Sequence, residues 1–355
     1  MVEALFGKVV RLRLIWNRIR PIHELATGMK HKAAKSASGT LTIGLVCLAV
    51  AALAHGQDAA PTVNPRDFGL DLPAGTLKKV AGEIVQTADD SGQPQVGKIH
   101  VRVGDGAVIL LPDGQLVACK AGQFSPTDRP YEPLGKEELQ NRLAAEFGGF
   151  KVRAAAAAPY VYVHTASDEF VEATGNILES MLSSTKGLKA FADNQRIAVH
   201  SPEVPLVVVI FRTEEEFQKY RRMPDGVVAY YHTLSNRVFI YEQSRLAQVR
   251  PDLALRQSIS TIAHEGAHQI LHNIGVQQRL SLWPMWIAEG LAEYLAPTST
   301  GNRLTWKGAG QVNDLRMFEL EQYLKSRAAD DANGQMVEQT VLAGRLSSTG
   351  YATAW

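Results

Sequence analysis

His264-Glu265-Gly266-Ala267-His268 sits inside a run, Leu253 to Asn273, that reads as one helix. A helix turns once every 3.6 residues, so side chains four apart lie on one face. His264 and His268 can therefore offer two imidazole nitrogens to one metal ion, the spacing of a zinc-dependent hydrolase. Glu265 projects beside them, where a carboxylate can take a proton from water held by the metal. Taken alone, the pentapeptide has a plainer reading, a surface helix that happens to carry two histidines.

A catalytic zinc keeps three protein ligands and leaves a fourth position open, so a third ligand should follow. Glu289 lies twenty-one positions beyond His268, in Trp286-Ile287-Ala288-Glu289-Gly290-Leu291-Ala292-Glu293-Tyr294. This stretch also reads as a helix, with Pro284 near its start, where a missing N–H costs nothing, and Pro297 past its end. Glu289 and Glu293 again share a face. The natural division of labour puts Glu289 on the metal and Glu293 behind it, orienting a histidine through its free ring N–H. A merely solvated pair of glutamates fits poorly, because Trp283, Trp286, Ile287, Leu291 and Tyr294 surround them.

H-E-x-x-H followed by W-x-x-E-G-x-A-E-Y resembles the gluzincin metallopeptidases, whose third zinc ligand is the Glu of the second helix. The likeness extends to exported bacterial gluzincin-like proteins of unassigned function, of the peptidase-MA-like type. It is specific from Ser258 to Leu295 and weaker from Phe150 to Tyr241. The resemblance implies zinc at His264, His268 and Glu289, with Glu265 as general base. Gluzincins continue into a helical region forming the far wall of the cleft. Here the sequence ends at Tyr351-Ala352-Thr353-Ala354-Trp355, which reads as a helix just beginning with no cap after it. The domain is therefore expected to be truncated.

Composition sets outer limits. A chain of 355 residues with 45% hydrophobic content can bury one large core or two smaller ones. A net charge of +1 and the lack of an aromatic-basic platform give no reason to invoke nucleic acid. Of the two cysteines, Cys47 falls in a segment expected to be removed, leaving Cys119 as a lone buried small residue. Neither is a plausible zinc ligand.

Residues 1–56 read as an amino-terminal extension and signal peptide. Lys30, Lys32 and Lys35 precede a fourteen-residue apolar stretch, Leu41 to Ala54, followed by His55-Gly56-Gln57. That stretch is too short for a bilayer core, which needs about 20 residues. Export with cleavage near Gly56–Gln57 is expected, with Met29 as the true start and no stable membrane span afterwards. An uncleaved anchor is the alternative.

The remainder reads as α+β: a small β module followed by a gluzincin-like mixed sheet. Residues 57–75 read as a linker, 76–133 as a curled sheet of four or five strands, and 134–355 as the metallopeptidase domain. In the module, Ile99, Val101 and Val103 alternate with His100 and Arg102, and Pro112-Asp113-Gly114 turns a hairpin. It carries no polar cluster marking a pocket and reads as a packing or spacer unit. Beyond it, Tyr160–Val163 and Pro205–Phe211 read as strands, Ser167 as a helix start, and Thr213 with Glu216 as a capping box. A hairpin, Val227–Tyr231 and Arg237–Tyr241, turns at Leu234-Ser235-Asn236. By resemblance it supplies the edge strand that pairs with extended substrate; a plain sheet edge is the alternative.

Tyr230, Tyr231, His232 and Tyr294 are candidates to stabilise an oxyanion, Tyr294 being the one its neighbours place in the core. His272 lies too far along the helix to share a metal with His264 and is expected to sit behind the site or face solvent. The expected function is an exported zinc-dependent peptidase acting on peptide or protein substrates. The alternative is a non-catalytic envelope scaffold that keeps the fold.

Overall fold

The structure, a computed structural model, describes residues 62–325 except Lys79, Ala81, Asp90, Ser184, Lys186, Leu282 and residues 300–304. The expected signal peptide, the Met29 start, Cys47 and the terminal stretch Tyr351–Trp355 lie outside the described residues. The fold is mixed α+β, with antiparallel and mixed sheets. Among the described residues no helix is long and apolar enough to cross a membrane.

The sheet that positions the site has five strands, ordered Ala229–His232, Arg237–Gln243, Leu206–Thr213, Tyr160–His164, Lys151–Ala154. The three central strands run parallel, and each edge strand is antiparallel to its neighbour. Strands buried on both faces should be apolar throughout rather than alternating, and Leu206-Val207-Val208-Val209-Ile210-Phe211 is buried at every position. Odd and even residues then feed different cores. Tyr162, Val208 and Ile240 meet the helices Asp168–Leu182 and Pro251–Asn273 on one face. Val163, Val209 and Phe239 meet Leu139, Leu143 and Phe217, from the helices Lys136–Glu146 and Glu214–Tyr220, on the other.

Helix starts follow the local chemistry. Ser167 Oγ accepts from the Phe170 N–H at 3.3 Å, and its own hydroxyl and N–H donate to the Glu242 carboxylate at 2.5 and 2.9 Å. Thr213 caps its helix through the Glu216 N–H at 3.2 Å. The reciprocal half of that capping box is displaced by one residue, since Glu216 accepts from the Arg212 N–H at 3.1 Å and the Thr165 hydroxyl at 2.6 Å. Pro251 occupies the first turn of the long helix, where it removes no hydrogen bond.

The β module departs from expectation. It is a seven-stranded antiparallel sheet, not four or five strands. The supposed linker contributes to it: Thr62–Val63 pairs with Gly75–Thr76, and Leu70 and Leu72 are buried, Leu72 completely. No periodic run announces these two leucines, because it is the curvature of the sheet that brings a core to them. The curvature comes from the ten-residue strand Pro94–Val103, which carries Ile84–Ala88 and Gly75–Lys78 along it and Gly106–Leu110 as a further partner. Its register shifts between Ile99 and Val101, and such a bulge bends the strand.

The module also grips the hairpin of the larger sheet. The Leu116 N–H donates to Leu234 O at 2.7 Å. Buried Arg279 donates from Nη1 to Gly114 O at 2.8 Å and Thr233 O at 3.2 Å, while the His100 ring lies 2.7 Å from Arg279 O. Leu234 and Leu280 pack on the module core around Leu72 and Leu116. Gly114 permits this approach: its φ is +85°, and a Cβ there would lie 2.7 Å from Val204 Cγ2.

Candidate metal centre

The long helix presents His264 and His268 one turn apart, and the helix Met285–Leu295 crosses with Glu289 toward them. His264 Nε2 lies 3.0 Å from Glu289 Oε2 and 3.2 Å from His268 Nε2, and His268 Nε2 lies 3.4 Å from the same carboxylate oxygen. The three ligand-type atoms fall within 4.8 Å of one another, a group that can hold a metal ion. Two imidazole nitrogens facing each other and one carboxylate oxygen are a donor set suited to zinc with an open position. All three side chains are largely withdrawn from solvent, at 12%, 11% and 20% exposure.

The electrostatics favour a cation here. Burial by itself would lower the His264 pKa, but Glu289, Glu293 and Glu265 outweigh it and push it up to about 10. Burial would raise Glu289, yet the two imidazoles hold its carboxyl well below the usual carboxylate range. Glu293 faces the same burial and is held down at about 2 by His264 and then Arg316. Its Oε1 approaches His264 Nδ1 at 3.2 Å, off the line of a regular hydrogen bond.

Glu265 points into the same cavity, of about 420 Å³, which is lined by His264, His268, Glu289, Tyr230, Tyr231 and Arg316 among others. Its Oε2 accepts from the Tyr231 N–H at 2.8 Å. Burial raises its pKa, partly opposed by His264, His268 and that N–H. A carboxylate whose pKa is raised is a stronger base than a free one. The contact also ties the edge strand to the long helix through the Tyr231 N–H.

Of the four oxyanion candidates, Tyr230 and Tyr231 line the cavity. Burial raises both phenols, Tyr230 to about 12, so each stays protonated at neutral pH. The Tyr231 hydroxyl is committed to Asn236 Oδ1 at 2.9 Å. His232 is occupied with Ser235 at 2.8 Å, and Tyr294 packs against the core beside Phe191. His272 does not face solvent. It lines the cavity, stacked on Tyr231 with ring centroids 5.5 Å apart, and burial followed by the His268 charge pushes its pKa down to about 3. Cys119 is buried and free, 3.5 Å from Thr87 Oγ1.

Two kinds of contributor have no motif in the sequence. Arg316 and Asn313, at the start of the helix Asp314–Lys325, reach back to Glu293. The Tyr231 backbone N–H is the other, invisible to any reading based on side-chain type.

A family model described as "Protein of unknown function (DUF1570)" matches residues 258–355. No curated protein matches the chain. The matched segment begins just before His264 and spans Glu265, His268, Glu289, Glu293, Asn313 and Arg316; Tyr231 lies outside it.

Proposed function

We propose that the chain is an exported zinc-dependent hydrolase of gluzincin type, a peptidase, in which His264, His268 and Glu289 hold the metal and Glu265 is the general base. The observation that carries the reading is the convergence of those three ligand atoms beside a cavity into which Glu265 also points. A bound zinc would supply Lewis-acid polarisation of a carbonyl and acidify water. The protein's own part is to hold the donors, keep Glu265 beside them in a buried setting that raises its basicity, and carry a proton on its carboxylate toward a leaving amine. Peptide as substrate is supported by the edge strand Ala229–His232, which borders the cavity at Tyr230 and Tyr231, since strand addition is an economical way to hold an extended chain. Export rests on the pattern from Lys30 to Gln57.

A non-catalytic scaffold that kept the metal would need no carboxylate at position 265. Glu265→Gln retains size and removes the base. The variant is expected to keep its zinc and lose hydrolysis of an unfolded protein substrate. Equal activity in Glu265→Gln would sink the mechanism, and a zinc-loaded wild-type protein inert toward every peptide offered would favour the scaffold.

A further inference from the structure

Glu293 is 6% exposed, and every side of its carboxylate is engaged. Arg316 donates to Oε1 from Nε at 2.8 Å, with Nη2 2.7 Å from the same oxygen. Asn313 Nδ2 donates to Oε2 at 3.1 Å. The remaining approach to Oε1 is that of His264 Nδ1, at 3.2 Å. Arg316 is itself braced, since Nη1 donates to Glu319 Oε2 at 2.8 Å one turn along its helix. Asn313 is anchored at the head of that helix, accepting from the Met317 N–H at 3.0 Å through its carbonyl.

We propose that Arg316, assisted by Asn313, is a positioning residue for the metal centre: it holds the Glu293 carboxylate in place against the Nδ1 edge of His264, and Glu293 in turn positions the His264 ring as a ligand. The inference rests on the metal reading above. A buried carboxylate stripped of these donors turns away to find others. His264 then loses the carboxylate that abuts its Nδ1 edge, and with it the support that keeps Nε2 toward Glu289 and His268. A guanidinium suits the task. It reaches two carboxylates at once, with Nε donating to Glu293 and Nη2 beside the same oxygen while Nη1 donates to Glu319, a fork that the point charge of a lysine cannot reproduce. The same commitments make Arg316 a poor substrate contact although it borders the cavity, because both terminal nitrogens are already tied to carboxylates. The helix Asp314–Lys325 thereby joins the site through its first turn.

The test is competitive zinc titration of the full chain against a chelating dye, on the wild type, Arg316→Met, Arg316→Lys, Glu293→Gln and the double variant Arg316→Met/Glu293→Gln. Arg316→Met is expected to bind zinc about 10- to 100-fold more weakly, the range for losing a partner of a metal-ligating histidine. Arg316→Lys should recover part of that loss, and the double variant should be no weaker than Glu293→Gln alone. Lys325→Met, which removes an exposed cation of the same helix paired with Glu321, should leave affinity unchanged. Wild-type affinity in Arg316→Met, or losses that add in the double variant, overturns the inference while leaving the metal reading intact. A wild type that takes up no zinc through His264 and His268 overturns both. Should Arg316→Met fail to fold, Asn313→Ala reads the same quantity: weakened zinc binding supports the inference, and unchanged affinity overturns it.

Discussion

Gly266, the third residue of the pentapeptide, gives the sharpest prediction about packing. It lies on the face of the long helix that meets Asp168–Leu182, and a Cβ there would overlap Leu178 Cδ2, with Leu178 Cγ at 3.7 Å. In an isolated helix Gly→Ala is favourable by about 1 kcal/mol. Here Leu178 is fully buried, so its side chain can yield only by leaving its rotamer or pushing the helices apart. Overpacking of this kind costs about 1–3 kcal/mol, which exceeds or cancels the propensity gain. Gly266→Ala is therefore expected to destabilise by up to about 2 kcal/mol in urea unfolding. Leu178→Ala alone should cost about 2–5 kcal/mol through its cavity. The double variant should be more stable than the sum of the two losses by at least about 1 kcal/mol, because the added methyl enters the vacated space. A Gly266→Ala protein more stable than the wild type, or strictly additive losses, would refute the close-approach argument.

Further outcomes follow from the same geometry. His272 is held neutral down to about 3 by burial and then by His268, against about 6.5 in an unfolded chain. Its folded pKa is depressed, so acidification below about 6.5 protonates the unfolded chain first and the contribution to stability is lost as pH falls. Relative to His272→Gln, the wild type should lose about 2 kcal/mol between pH 7 and pH 5, measured by denaturant titration; parallel curves would contradict the burial. Arg279→Met leaves the carbonyls of Gly114 and Thr233 without their donor, at about 1–3 kcal/mol for each buried acceptor stranded. It should lower the urea midpoint and speed hydrogen exchange at Leu116, whose N–H bonds Leu234; an unchanged midpoint would show that the module does not grip the hairpin through Arg279.

The parts legible in sequence were those that local periodicity dictates. Spacing of four on a helix is fixed by backbone geometry, so His264, His268, Glu289 and Glu293 could be paired before any tertiary contact was known, and the structure brings all four together. The apolar run Leu206–Phe211 likewise announced a strand covered on both faces. What escaped was long-range. Leu70 and Leu72 lie in a stretch rich in Pro, Gly and Asp and acquire meaning only where the sheet curls over them. Asn313 announces a helix start, but nothing in its neighbourhood says that the helix docks on Glu293. The grip of the β module on the Leu234 turn joins segments more than a hundred residues apart, and no spacing rule spans such a gap. Sequence leaves His272 either behind the site or facing solvent, because the partner that decides for the former, Tyr231, comes from a strand rather than from the helix itself.

The central claim is that His264, His268 and Glu289 are metal ligands, and metal content tests it without any assumption about substrate. Purified protein, dialysed against metal-free buffer and examined by inductively coupled plasma mass spectrometry, is predicted to retain about one equivalent of zinc per chain. Folded His268→Ala should retain none after the same treatment. Full zinc content in His268→Ala, or a wild-type protein that holds no zinc when supplied with it, would contradict the account.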